Sequence, residues 1–169
     1  LGFDHISPYQ LTWEPDTAFG RALARGQMQP VDEDTAADLY EATQVVLSQA
    51  GFAAYEISNH ARGLQARSVH NLHVWRGGDY LGLGPGAHGR LTRDGQRQAT
   101  VAHRRITDYC TGAASGQAWA EHGVFTAAET AEERIVLGLR TVEGISPLDL
   151  ATLGRQDQAA DLIDQGLME

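Results

Sequence analysis

Four histidines in the middle of the chain have the most distinctive side-chain chemistry: His60, His70, His73 and His88. His70 and His73 are three residues apart, so a helix would place them on one face. A complete zinc site needs further cysteine or acidic ligands, and Asp79, the nearest carboxylate, follows two glycines. Haem binding requires fewer protein ligands, because one histidine can serve as the axial ligand while Trp75 and Tyr80 pack on the porphyrin. Spacing alone favours structural histidines held by hydrogen bonds over a zinc ligand or a haem ligand.

A glycine-rich stretch, GLGPGAHG, occupies residues 82–89. It contains the spacing G-x-G-x-x-G, which binds a dinucleotide when it joins a strand to a helix. Here Asp94-Gly95 predicts a hairpin turn shortly afterwards and no amphipathic helix follows, so we reject the dinucleotide interpretation. The glycines then indicate either turns with positive φ or close approach of a ligand to the backbone. Spacing leaves both interpretations open.

Polar residues also cluster at the end of a predicted strand, in YEISN at residues 55–59. If the sheet is parallel, this end lies on the side where active sites form. A capped strand end explains the same residues equally well. Cys110 lies among apolar residues of a predicted helix, so we expect it to be buried and inert. No Ser-His-Asp arrangement can be identified.

Composition limits the function classes further. The 169 residues are enough for one domain, or for one and a small second. The single Cys110 excludes a disulfide framework, or a multi-cysteine metal site, built from this chain alone. The formal charge of −9 argues against binding to nucleic acid or to anionic membranes. No apolar run approaches the ~18 residues of a membrane span, and no leader marks the chain for secretion.

The first half of the chain reads as an α/β unit. Residues 3–13 predict a strand, and a helix capped by Asp32 or Asp34 follows and ends at Gly51. Residues 52–58 predict the next strand, so the order strand–helix–strand implies a parallel sheet covered by helices. Residues 59–69 look polar and irregular.

The second half changes character along its length. A short strand is predicted at 80–83, a hairpin around Asp94-Gly95, a helix from about 102 to 114, and a polar link near 116–123. A capping box at 126–129 opens a helix through 137–142, Ser146-Pro147 opens a second, and a third ends at Gly166. Residues 1–118 therefore form the predicted α/β part, and residues 124–169 a small helical part.

These stretches together resemble the oxygen-independent coproporphyrinogen oxidase-like radical S-adenosylmethionine (SAM) proteins. The resemblance is carried in order by HISPYQLTWEP (5–15), YEISN (55–59), HNLHVW (70–75), YLGLGPGAH (80–88), LGLR (137–140) and Glu143-Gly144. A motif H-N-x-x-Y-W marks the haem chaperone, HemW-like, branch of that family. Here Val74 replaces the tyrosine, while His70, Asn71 and Trp75 remain.

The resemblance implies a fold and binding residues. The fold is the C-terminal part of a partial (β/α) radical SAM barrel, followed by the start of a small helical domain of the HemN type. The implied SAM contacts are Tyr9, Gln10, Gly84, Gly86, Ala87 and His88. The implied haem contacts are His70, Asn71 and Trp75, with His70 as the haem-linked residue.

The same resemblance implies a [4Fe-4S] cluster, but the family's C-x3-C-x2-C motif is absent from this chain. Cys110 alone cannot replace three thiolates, so we expect no radical chemistry and no metal site from this piece. Leu1 and Glu169 are interpreted as the ends of a fragment.

Three functions remain open. The first is part of a cytoplasmic haem chaperone that passes haem to acceptor proteins. The alternative is an oxygen-independent coproporphyrinogen III oxidase, which decarboxylates by radical chemistry. The third is an unrelated α/β binding domain. The sequence does not indicate the oligomeric state.

Overall fold

A computed structural model describes residues 2–169 of the chain. The chain divides into two compact units, Leu1–Ser68 and Val69–Glu169. We call them the N-terminal and the C-terminal unit and describe each by itself. No helix in residues 2–169 has the length and the apolar character needed to cross a membrane.

Residues 2–68 of the N-terminal unit contain three short strands and two helices. In chain order they are β1 (His5–Ile6), α1 (Ala18–Ala24), α2 (Glu33–Gln49), β2 (Ala53–Glu56) and β3 (Asn59–Ala61). A turn of 3-10 helix, Leu64–Ala66, follows. The predicted N-cap of α2 is confirmed at Asp32, whose carboxylate accepts the backbone N–H of Thr35 at 2.9 Å. This hydrogen bond lowers the pKa of Asp32.

The sheet of this unit has the strand order β1-β3-β2, with antiparallel pairing on both sides of β3. The expectation of a parallel sheet is therefore wrong for the strand pairs, although β1 and β2 do run in the same direction. The cause is β3, which forms within the segment predicted to be irregular. A strand of three residues is too short to show an alternating pattern.

The C-terminal unit combines an antiparallel sheet with five helices among its described residues. Its elements are α3 (Val69–Trp75), β4 (His88–Arg93), β5 (Gln96–Ala102), α4 (Ile106–Ala114), β6 (Trp119–Val124), α5 (Ala127–Gly138), α6 (Pro147–Leu153) and α7 (Gln156–Asp164). The sheet order is β4-β5-β6. The predicted hairpin is confirmed, because Asp94 and Gly95 join β4 to β5 with φ values of 51° and 75°.

Helix starts in this unit follow the sequence signals closely. The capping box is present, since the Thr126 hydroxyl accepts from the Glu129 N–H and the Glu129 carboxylate accepts from the Thr126 N–H. Ser146 caps α6, and Pro147 occupies its first turn. These hydrogen bonds satisfy backbone groups that a helix leaves free at its start.

Other sequence expectations for this unit are corrected. The link predicted near 116–123 contains β6, and β5 continues to Ala102, so α4 starts only at Ile106. The strand predicted at 80–83 is reduced to one bridge between Tyr80 and Arg90. Helix α5 ends at Gly138, short of the predicted range. Cys110 is exposed, so the prediction of a buried thiol is wrong.

An ion cluster joins α5 to the β4–β5 hairpin. The Glu133 carboxylate accepts from Arg90 Nε and from Arg97 Nε, each at 2.6 Å. Arg97 is only 4% exposed, and it also donates to the carbonyl oxygen of Gly77 at 2.8 Å. Because the charge on Arg97 is buried, these partners are needed to offset its lost hydration.

Candidate functional site

A cleft of about 610 Å3 lies in the N-terminal unit, at the carboxyl ends of β1 and β2. Residues 8–13 after β1 form one wall, Ile57 and Ser58 after β2 form a second, and the side of α2 with Leu39 and Tyr40 forms a third. The described lining contains no Asp, Glu, Lys or Arg. Its shape and its mixture of apolar side chains with a few polar groups are typical of small-molecule sites.

Two of the predicted SAM contacts belong to this cleft. Tyr9 and Gln10 line the first wall, where Tyr9 is strongly exposed. The Gln10 side-chain amide donates to the carbonyl oxygen of Ala36 at 2.7 Å, which ties the wall to α2. Trp13 from the same wall also faces the cleft and packs edge-on against Phe19. The aromatic side chains provide flat surfaces on which a planar ligand can stack.

A layer of buried polar side chains lies at the same strand ends. Glu56 and Asn59 are each 2% exposed, and the Asn59 amide donates to the Glu56 carboxylate. Ser7 donates to the Asn59 side-chain oxygen at 2.6 Å, and the Ser58 N–H donates to Glu56 at 3.2 Å. The YEISN stretch is therefore part of a connected hydrogen-bond network, which lies at the same strand ends as the cleft.

A second set of buried groups lies along the strands. The Tyr55 hydroxyl accepts the Ser68 N–H at 3.1 Å and lies 2.7 Å from His5 Nε2. Burial raises the pKa of the Tyr55 hydroxyl. His60 Nε2 lies 2.8 Å from the Gln44 side-chain oxygen, while its Nδ1 is buried without a hydrogen-bond partner. Burial lowers the pKa of His60.

The glycine-rich stretch lies in the C-terminal unit and serves two purposes. A Cβ at Gly82 would come within 2.3 Å of the His88 carbonyl oxygen, and one at Gly89 within 2.6 Å of Thr100 Oγ1. These two glycines are required by close packing of the chain on itself. Gly84 and Gly86 instead have positive φ values of 111° and 70°, and open space surrounds Gly84. The positive-φ interpretation therefore applies to Gly84 and Gly86, whereas contact of this stretch with a ligand stays a prediction.

The predicted haem residues lie on α3, where the two histidines have different environments. His73 Nε2 lies 2.7 Å from the Asp79 carbonyl oxygen, and its ring packs on Gly78. His73 is therefore a structural histidine. His70 is exposed, and its only described contact is Nδ1 at 3.3 Å from the Asn71 side-chain oxygen. The structure describes no hydrogen bond at Nε2 of this exposed imidazole, and an imidazole nitrogen is a common axial ligand to haem iron.

Trp75 contacts another side chain instead of facing solvent. The Arg140 guanidinium lies 4.5 Å from the centre of the Trp75 ring, within cation–π distance. The neighbouring Arg76 pairs with Glu143, with Nε donating at 2.7 Å. Sequence reasoning did not link these pairs, although Arg140 and Glu143 both fall within stretches that carry the resemblance.

The remaining candidates for metal binding do not converge. Among residues 2–169, no three His, Cys, Asp or Glu side chains come together in a group that could hold a metal ion. Cys110 lies exposed on α4 as the chain's one thiol. Three thiolates for an iron–sulfur cluster cannot come from these residues.

The chain resembles several known proteins. It is 34% identical over 186 residues to "Radical S-adenosyl methionine domain-containing protein 1, mitochondrial" of Bos taurus, covering 98% of this chain and 40% of that protein. It is 47% identical over 91 residues to "Heme chaperone HemW" of Mycobacterium tuberculosis, covering 53% of this chain and 23% of that protein. The chain matches no protein-family model.

A solved structure shares the fold. Coproporphyrinogen III oxidase (HemN) from Escherichia coli, a radical SAM enzyme, superposes with a TM-score of 0.58 at 17% sequence identity, covering 82% of this chain and 33% of that one. This chain therefore has the fold of part of a radical SAM protein. It is homologous to the two relatives named above, and it spans two fifths or less of their length.

Proposed function

We propose that this chain is part of a HemW-like haem chaperone, which binds haem and passes it to acceptor proteins. One observation carries the proposal: α3 presents the exposed imidazole of His70, while His73 on the same helix contacts the Asp79 carbonyl oxygen. An exposed imidazole is suited to accept and release a haem iron. The relative named heme chaperone HemW supports the same function.

The haem contacts that we propose are His70, Asn71 and Trp75. Asn71 lies within 3.3 Å of His70 Nδ1 and fixes the ring orientation through that nitrogen, so that Nε2 points away from it. Trp75 already contacts Arg140 on one face of its ring. Since the indole Nε1 is also buried, we propose that Trp75 contacts haem through a part of its ring that neither Arg140 nor this burial covers.

We also propose that the parent protein binds SAM and a [4Fe-4S] cluster. In the N-terminal unit the SAM contacts are Tyr9 and Gln10 in the strand-end cleft. In the C-terminal unit they are the positive-φ residues Gly84 and Gly86, with Ala87 and His88. When bound to a cluster, SAM supplies radical chemistry, for which this chain has no cluster ligands.

The compartment and domain division are further proposals. We place the protein in the cytoplasm and assign residues 1–118 to the rear of the SAM barrel. Residues 124–169 then begin the HemN-type helical domain. The helices α5, α6 and α7 all fall within that second range, although they belong to the same compact unit as residues 69–118.

Haem titration of the chain tests the proposal. We expect a Soret band of bound haem in the wild-type chain, and its loss in His70→Ala. The matched control is His122→Ala, which removes another exposed histidine from β6. A Soret band that His70→Ala leaves unchanged would overturn the haem assignment.

A further inference from the structure

The polar layer beneath the strand-end cleft connects its two strand-end walls. Ser7, which directly precedes the first wall, donates to Asn59 at 2.6 Å. Asn59 donates in turn to Glu56, and Glu56 also accepts the N–H of Ser58 in the second wall. A continuous path of hydrogen bonds therefore runs from the end of β1, across β3, to the end of β2.

The direction of these hydrogen bonds is fixed. A carboxylate only accepts, so the Asn59 side chain must turn its amide towards Glu56 and its oxygen towards Ser7. The pairing of β2 with β3 is irregular between Ala54 and Glu56, and beyond this irregularity Glu56 is paired with Asn59. The acceptor at position 56 thus determines the position of both walls.

This arrangement is costly for a sheet that only has to fold. Glu56 and Asn59 are each 2% exposed, and a buried carboxylate loses its hydration. Apolar side chains of similar volume often replace such buried polar groups without loss of stability. A network that ends on the walls of a ligand-sized cleft is therefore explained better by a requirement for precise geometry than by stability.

We propose that Glu56 and Asn59 are positioning residues, which hold the two strand-end walls of the cleft in the geometry that binds SAM. This inference rests on the proposed SAM site and adds residues that do not themselves line the cleft. Their role is to preorganise the walls, so that binding does not have to order them.

Two substitutions of Glu56 distinguish the effect of losing the hydrogen-bond acceptor from the effect of changing the side-chain volume. Glu56→Gln keeps a side-chain oxygen that accepts from both Asn59 and Ser58, whereas Glu56→Met has similar length and provides no comparable acceptor. Trp13 lines the cleft and serves as a fluorescent reporter during titration with SAM. We expect Glu56→Met to weaken binding at least about tenfold, and Glu56→Gln to stay within about threefold of the wild-type chain.

A third variant controls for stability. Phe52 is buried in the same unit, away from the cleft lining, so Phe52→Leu should lower the melting temperature and leave SAM affinity unchanged. If Glu56→Met binds SAM like the wild-type chain, the inference is wrong. It is also wrong if Phe52→Leu weakens binding as much as Glu56→Met does, because the effect would then follow stability alone.

Amide hydrogen exchange distinguishes failure of this inference from failure of the SAM site. Glu56→Met should increase exchange at Ser58 and across residues 9–13 and leave α2 unchanged. If the wild-type chain does not bind SAM, the proposed SAM site fails, and the positioning of the walls is then decided by exchange. Unchanged exchange at Ser58 and residues 9–13 would overturn the positioning role.

Discussion

His60 shows how one buried side chain makes stability depend on pH. It lies on the central strand of its sheet, with Nδ1 buried and unpartnered. Burial lowers its pKa in the folded state below the unfolded value near 6.5. The unfolded chain therefore binds a proton first as the pH falls, which destabilises the folded state.

We predict that the His60 contribution to stability is complete above pH 6.5. It declines as the pH falls from 6.5 towards the lowered pKa and stays constant below it. Melting temperatures between pH 5 and 7.5 measure this slope. His60→Phe should flatten the slope in that range, whereas His122→Asn, at an exposed histidine, should not. Equal slopes for wild type and His60→Phe would contradict the prediction.

Glu133 is the residue on which the ion cluster of the C-terminal unit depends. Glu133→Ala removes the carboxylate shared by Arg90 and Arg97 and leaves a guanidinium that is only 4% exposed. Breaking one partner of a buried pair costs about 3 kcal/mol. Urea denaturation should show this loss, while Glu132→Ala, at the exposed neighbour on α5, should change stability by less than about 0.5 kcal/mol. Similar losses for the two variants would exclude the cluster as the cause.

In the stretch before β4, some glycines are required by close packing and others by a positive φ, and substitution can test the first requirement. Gly82→Ala places a Cβ 2.3 Å from a backbone oxygen, which cannot move without displacing the start of β4. We predict a loss of about 1–3 kcal/mol in thermal or urea unfolding. Gly123→Ala in β6 is the control, because nothing lies within 4 Å of its added methyl group. A stable Gly82→Ala variant would show that the close approach is not present in solution.

The elements that could be predicted are those with local signals. Asp32, Thr126 and Ser146 mark helix starts because each side chain accepts a backbone N–H within three residues. Strands β3 and β6 were missed, since β3 has only three residues and β6 is exposed along its whole length. Neither strand carries the apolar alternation that makes a half-buried strand visible in sequence.

The candidate site was only partly visible in sequence for a related reason. YEISN marked the strand end, but no local pattern shows that Asn59 also accepts from Ser7, because these two residues are 52 positions apart. Likewise, HNLHVW presents two histidines of equal appearance. The two histidines differ only in the folded structure, where a turn brings the Asp79 carbonyl oxygen to His73 and not to His70.

At the scale of the whole molecule, the buried apolar core is small for 169 residues. The described residues include seven buried hydrophobic side chains, of which four are alanines. Helix α2 has no buried residue along its length, and Leu39, Val45 and Val46 on it are each more than half exposed. Apolar surface of this extent is typical of a protein that covers it with further polypeptide or a ligand.

We therefore predict that the chain in solution binds a hydrophobic fluorescent dye in its folded state. Val46→Gln should reduce the dye signal and leave the melting temperature nearly unchanged, because the valine is 61% exposed and contributes little burial. Glu41→Gln, at an exposed residue of the same helix, controls for the change of surface polarity. Leu72→Gln should instead lower the melting temperature, since Leu72 is buried. A folded wild-type chain without dye binding would mean that the face of α2 is covered in solution, and sedimentation would then show whether a second copy covers it.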